Sequence, residues 1–464
     1  MQDDQIPNKR LPNPRRRKRS KTQIFKETYL PAIIAGLALI LIVVFIIGSI
    51  TRAIQRKNKE KQEQRDASIA ASIAKNEQDD QAAELLSTAS KLAMIFDYEN
   101  AISILDSFTG DLNDYPELTQ KRQQYASALN ELELWEDPSK VLNLSFQLLI
   151  ADPARAFKDV KYGNSYNKNF VTIDEFSKIL QQLYENNYIL ISLDDLDQEL
   201  RLPKGKKPLI LTQTQVNYYT YMTDSNGDKL PDSGGAGFAS KLIIDANGNL
   251  ACEMIDASGQ TITGAYDMVP ILEAFIETHP GFSYKGARAI LAVTGYDGLF
   301  GYRTNASAKN FFGSAQYEQE VLGATQIAEA LRNAGYEIAC YTYENAAYGS
   351  YSASQVSSDL DEWTAEVSPI LGVVDTLVYA RNSDIAGRNT SYSGEKFTIL
   401  SEFGFTRFLG FCTNGKPWYS PQDTYVRQGR ILVSGSNLAH HSDWFAGIID
   451  PQTVLDPARG TIPS

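Results

Sequence analysis

The chain has 464 residues, 43% hydrophobic and 22% charged, with a formal net charge of −12. Its length exceeds one compact domain and supports a large core, and its composition argues against a disordered chain. Residues 1–65 hold 15 Lys/Arg against 5 Asp/Glu, a net of +10 that leaves −22 for the rest; so acidic a body argues against nucleic acid as a partner, while the basic end suits an anionic surface.

In chain order, residues 1–29 form a basic tail containing "RRRKRSK" (Arg15 to Lys21). Residues 30–50, "LPAIIAGLALILIVVFIIGSI", carry no charge. Twenty-one helical residues reach roughly 30 Å, the thickness of a bilayer core, so a single membrane span is expected. Nine basic residues precede the span and six follow it closely, which places the N-terminus in the cytoplasm and the body outside the cell membrane. Residues 51–81, rich in Lys, Glu, Gln and Ala, read as a helical stalk. Residues 82–136 read as a tetratricopeptide-like helical hairpin, with Leu85, Leu86, Leu92, Ala93 and Phe96 on one face. One copy cannot build a solenoid, so the hairpin is either a spacer packed on the next domain or a docking surface for a protein partner.

From residue 137 to 464 the texture alternates between strand and helix. "KVLNLSFQLLI" reads as a strand. "TIDEFSKILQQLYENN" is a helix with an N-cap Thr172 and a Glu three residues on. "YILISL" and "PLILTQ" are strands, and "KLIIDANGNLACEMI" is a hairpin about Asn247-Gly248. Then come strand "AILAV", a helix ending at Gly335, strand "YEIACYTY", helix "SASQVSSDLDEWTAEV", strand "DTLVYA", helix "GEKFTILSEFG" and strand "FTRFLGF". This order predicts a parallel, barrel-like α/β domain. The cysteines Cys252, Cys340 and Cys412 are odd in number and scattered, with no disulfide framework or CxxC pattern. The only histidines are His279, His440 and His441.

The runs "VTIDEFSKILQQLYENNYILISLDDL", "LPKGKKPLILTQTQ", "EALRNAGYEIACYTYEN" and "DTLVYA" together resemble the polysaccharide deacetylase family, carbohydrate esterase family 4, over roughly residues 140–460. The resemblance implies an irregular (β/α) barrel and removal of acetyl groups from cell-wall or chitin-like glycans. It also implies a zinc or similar divalent ion held by one Asp and two His at i and i+4, with a second Asp as base. Such an ion lowers the pKa of bound water towards about 7. Here the family positions are changed. Thr214 stands at the base, Gln215 at the carboxylate ligand, and Tyr341 and Asn345 at the two imidazoles. Carboxamides are poor zinc ligands, and a threonine hydroxyl cannot act as a base near neutrality. No cofactor is therefore expected, and the chain reads as a degenerate deacetylase that binds cell-wall glycan or a protein partner.

The alternative is an active hydrolase using unconventional residues. Asp297, Glu344 and Asp384 lie near strand ends, and a carboxylate pair suits glycoside hydrolysis. His440 or His441 could take the place of the family's late catalytic acid. "DSNGDKLPD" places Asp224, Asn226 and Asp228 as in a calcium loop, but Lys229 and Gly235 break the pattern, and a polar turn is the plainer reading. Tyr218, Tyr219, Tyr302, Arg303, Tyr343, Asp384 and Trp418 are expected to line a sugar-binding cleft.

Overall fold

The computed structural model describes residues 20–463. Most of the basic run from Arg15 to Lys21 lies outside them. Contacts divide the chain into two units, residues 1–83 and 84–464.

The first unit is dominated by helix α1, Leu30–Met94, whose last turns belong to the second unit. The side chains of residues 30–50 are almost all exposed. The helix is long and apolar enough to cross a membrane. Where the apolar stretch ends, Ser49 and Thr51 donate their hydroxyls to the carbonyls of Phe45 and Ile47, so no side-chain hydroxyl there lacks a partner.

The second unit begins with the end of α1, helix α2 (Tyr98–Asp106) and helix α3 (Pro116–Asn130). Asp97 caps α2 through the Asn100 amide, and a proline opens α3. Their apolar faces close on one another at Ala101, Leu105, Leu118 and Tyr125. Phe96 packs against the barrel core, the Lys285 amide donates to the Ile95 carbonyl, and Lys285 pairs with Glu99 at 3.0 Å.

The barrel has seven parallel strands: β1 Leu142–Phe146, β2 Lys207–Thr214, β3 Ile290–Val293, β4 Glu337–Cys340, β5 Thr376–Val378, β6 Arg407–Phe411 and β7 Val426–Leu432. Each pairs with the next in chain order, and β7 pairs back to β1, so the sheet closes. Outside the closed ring, Tyr188–Leu190 runs beside the start of β2, and Tyr419–Pro421 lies antiparallel to β7. Helix α4 (Ile173–Glu185) has the capping box read from the sequence, with Thr172 and Glu175 exchanging bonds. Helices α5 (Met268–Thr278), α6 (Ser314–Ala334), α7 (Ala353–Glu366) and α8 (Glu395–Phe403) follow successive strands on the outside. Gly335 ends α6 in the left-handed conformation with φ 99°, which only glycine adopts freely. The Asn247-Gly248 hairpin is present and belongs to a three-stranded antiparallel sheet of Lys241–Ile244, Leu250–Ile255 and Thr261–Gly264.

Register fixes what the barrel encloses. Asn143 pairs with Ile210, Ser145 with Thr212, Thr212 with Ile290, Thr214 with Ala292, Ala292 with Ala339, Leu409 with Gln428 and Phe411 with Arg430. Partners in register share a face. The lower interior is apolar, at Ile210, Ile290, Ala339, Val378 and Leu409. Above it runs a polar layer in which Thr212 donates to Asn143 and Asn143 donates to Gln428. At the base, Glu337 accepts from the Leu193 amide, and burial pushes its carboxyl up to about 7. A carboxyl raised in the folded state holds its proton while the unfolded chain has lost its own, so stability falls as pH rises from about 4.5 to about 7. Glu337→Gln is expected to remove that slope and to raise the melting temperature at pH 8 more than at pH 5, as read by thermal unfolding at the two pH values.

Candidate functional site

The C-terminal ends of parallel barrel strands open on one face, where loops converge on a single mouth. There a cleft of about 540 Å³ is lined by thirteen residues from the ends of β1, β2, β4, β5, β6 and β7 and the loops beside them. Six of them are carboxamides: Gln147, Asn169, Gln215, Asn345, Asn382 and Asn437. Tyr341, Phe411 and Trp444 supply aromatic surface, and Arg381 the one formal charge; none of the thirteen is Asp, Glu, His or Lys.

Three of the four positions that the sequence singled out, Gln215, Tyr341 and Asn345, therefore meet in one cleft. Thr214 points inward just below, donating its hydroxyl to the Phe146 carbonyl at 3.2 Å. Burial holds the Tyr341 phenol above its ordinary value, against opposing pulls from Arg430, the Arg381 amide and Thr214, so it stays neutral at physiological pH. The Asn345 side-chain oxygen is buried without a hydrogen-bond partner. Cys412 at the rim donates its thiol to the Lys416 carbonyl at 3.0 Å, and burial pushes it up to about 12, so it is no nucleophile. As a donor set for zinc, two carboxamides and a neutral phenol do not fit. Among the described residues no group of three or more His, Cys, Asp or Glu gathers that could hold a metal ion.

The backbone around the mouth is unusual. Gln215 after β2, Thr342 and Asn345 after β4, and Arg381 and Asn382 after β5 all have φ between 53° and 63°. Non-glycine residues adopt that conformation at a cost and concentrate at functional sites.

The expected sugar-contacting residues divide. Asp384 and Trp418 line a depression of about 500 Å³ that shares Asn382, Phe411, Cys412 and Thr413 with the cleft. There Asp384 accepts from Arg427 at 2.8 Å and from the Tyr392 hydroxyl at 2.7 Å, so it is occupied by structure. Trp418 lies over Gly429, where a Cβ would come within 2.1 Å of the indole nitrogen.

Tyr219 is buried in a stack between Tyr221 and Tyr296, with ring centroids 5.7 and 5.1 Å away, and only the two outer rings reach solvent. Tyr218, Tyr219, Tyr302, Arg303 and Tyr343 do not line the cleft. The Tyr218 hydroxyl donates to buried Asp267 at 2.7 Å. The Tyr302 ring fills the space left by Gly323, Arg303 donates to the carbonyls of Tyr218 and Asp297, and the Tyr343 hydroxyl donates to Glu366. Position after a strand is legible in sequence; the direction of a side chain leaving a strained turn is not.

The alternative acid site does not assemble. Asp297 accepts from the Thr220 amide and hydroxyl, while Glu344 lies in a separate depression with Asp359 and Glu362. His440 meets the Ile462 carbonyl at 3.2 Å, and His441 stacks behind Trp444 at 4.5 Å, so neither lines the cleft. Asp224 accepts from the amides of Asn226, Gly227 and Lys229, the bonding of a polar turn. The sequence reading missed Gln147, Asn169, Asn437 and Trp444; no motif marks them, and only barrel closure brings them together.

No family model and no curated protein matches the chain. Among solved structures, it is similar at 12% identity to the deacetylase PplD of Streptococcus pyogenes, solved in complex with acetate, over 65% of this chain and 96% of that one, with a TM-score of 0.35. It is also similar, again at 12% identity, to a de-N-acetylase from Aggregatibacter actinomycetemcomitans, over 66% of this chain and 99% of that one, with a TM-score of 0.36.

Proposed function

We propose that the chain is a single-pass membrane protein whose external barrel, of polysaccharide deacetylase type, binds a cell-wall glycan and does not hydrolyse it. The observation that carries this reading is the lining of the cleft. Six carboxamides offer donors and acceptors to sugar hydroxyls and acetamido groups, and Trp444, Tyr341 and Phe411 offer faces to sugar C–H bonds. None of the lining residues is an Asp, Glu, His or Lys that could serve as acid or base. The hydrolase alternative needs Asp384, which Arg427 and Tyr392 already engage.

Full-length protein in detergent is expected to bind N-acetylated chitooligosaccharides and to release no acetate from them. Trp444→Ala is expected to weaken that binding about tenfold or more, as buried aromatic anchors do, with unchanged thermal unfolding. Calorimetric titration and an acetate assay check both points. Stoichiometric acetate release or undiminished binding by the variant would overturn the reading. The external placement is tested on intact cells, where added protease should remove the barrel and leave the anchor.

A further inference from the structure

Four arginines are buried in the second unit: Arg303, Arg427, Arg430 and Arg459. Three have a carboxylate close by. Arg303 lies 3.6 Å from Asp297, Arg427 2.8 Å from Asp384 and Arg459 2.5 Å from Glu175. That is the ordinary arrangement, since an unpaired buried charge is costly. Arg430 is the exception. It is fully buried on the inner face of β7, and no carboxylate pairs with it among the described residues. Its guanidinium donates to the Ser145 hydroxyl at 2.7 Å and the Tyr379 carbonyl at 3.2 Å, while its Nε–H has no partner. The group also lies 4.4 Å from the centre of the Phe411 ring.

The position of this charge matters. Phe411 is its register partner on β6 and lines the cleft, and Leu432, two residues along β7 on the same face, lines it too. Tyr341 and Cys412, which also line the cleft, are the titratable groups that neighbour Arg430. The guanidinium thus lies one layer beneath the cleft floor. Burial lowers its pKa to about 10, which still leaves it charged at neutral pH. At the rim, the Arg381 side chain is exposed on a left-handed residue and makes no hydrogen bond or ion pair with another side chain among the described residues. An acidic protein has therefore placed two cations without carboxylate partners around one cleft that has no acid in its wall.

We propose that the cleft takes a sugar polymer bearing an anionic substituent, a carboxylate or a phosphate, which Arg381 grips directly and whose charge balances Arg430 from above. This rests on the reading of the cleft as a glycan site and narrows its ligand. Arg381 suits either anion, because the guanidinium fork bonds both carboxylate and phosphate. Arg430 makes no contact with the ligand and contributes a fixed field through low-dielectric protein.

The test titrates full-length protein in detergent with four probes. They are neutral chitotetraose, a tetrasaccharide of the same backbone with lactyl carboxylates on alternate sugars, the same backbone with phosphate monoesters on alternate sugars, and inorganic phosphate. One or both anionic polymers are expected to bind at least about tenfold more tightly than chitotetraose, with an advantage that shrinks as salt rises. Which of the two binds identifies the anion. Arg381→Gln is expected to erase the advantage of the anionic polymers over chitotetraose. Arg430→Met, which fills the same space without charge, is expected to keep or raise the melting temperature and to lose the stabilisation that the anionic probe gives the wild type. An arginine serving only the fold would instead lower the melting temperature on replacement and leave the anion response intact, which overturns the proposal. Equal binding of neutral and anionic glycans also overturns it while the glycan reading stands. Phosphate binding that depends on both arginines, with no glycan bound, overturns the glycan reading and leaves the anion site. Binding of none overturns both.

Discussion

Glu175→Ala is expected to cost about 3–5 kcal/mol of unfolding free energy, because it leaves a buried guanidinium without its counter-charge. Glu175 is fully buried and holds three segments together. Its carboxylate accepts from the Thr172 amide at the start of α4, from the Asp456 amide, and from Arg459 through both Nε and Nη2. Arg459 in turn donates to the carbonyls of Asn167 and Phe170 and to the Asn167 side chain. One ion pair thus fastens the last residues of the chain to the first outer helix of the barrel. Glu175→Gln keeps a group able to cap α4 and should lose less, about 1–3 kcal/mol. Arg459→Met leaves the carboxylate buried and unpaired, so Glu175→Gln with Arg459→Met together should lose less than the two singles added. Urea unfolding of the full chain, followed by tryptophan fluorescence, reads all four proteins. A Glu175→Ala loss below about 1 kcal/mol would show that the pair is solvated and the C-terminal segment free to leave.

The legible parts of this fold were those in which one local signal decides one local structure. The capping box at Thr172, the turn at Asn247-Gly248 and the stop at Gly335 each depend on a few adjacent residues, and each is where the sequence places it. The closing strand β7 was not legible. Its run "VRQGRIL" carries Arg427, Gln428 and Arg430, which read as surface, yet all three are buried. Arg427 and Arg430 are stacked against aromatic rings, and Gln428 is bonded to Asn143 inside the barrel. A barrel with a polar interior hides its strands from any pattern that seeks alternating apolar residues. The candidate site divides along the same line. Gln215, Tyr341 and Asn345 could be placed at one mouth because each follows a strand that is legible in the sequence. The left-handed conformation of Arg381 and Asn382 could not be read, since it is set by tertiary packing and leaves no trace in composition.

Gln215→Asp, Tyr341→His and Asn345→His in one chain are expected to raise bound zinc from below about 0.1 to close to one ion per chain. The three positions line one cleft, and the substituted side chains are the carboxylate and imidazoles that zinc prefers. The backbone favours the exchange. Positions 215 and 345 have φ of 62° and 55°, a region where Asp, Asn and His are enriched and Gln is not, so two of the three replacements carry no added strain at the main chain. Tyr341→His frees space beside Arg430, whose charge opposes the incoming cation. That repulsion predicts that adding Arg430→Met tightens zinc further, a dependence that adventitious surface binding would not show. Elemental mass spectrometry after desalting from zinc reads the ion count. A wild-type chain that keeps one ion under the same treatment would mean that carboxamides and a phenol suffice, and the non-hydrolytic reading would fall. A triple variant that takes none would mean that the side chains diverge despite their shared cleft. Acetate release should still be absent from the triple variant, because Thr214 supplies no base; it should arise only when Thr214→Asp is added, which separates holding the metal from using it.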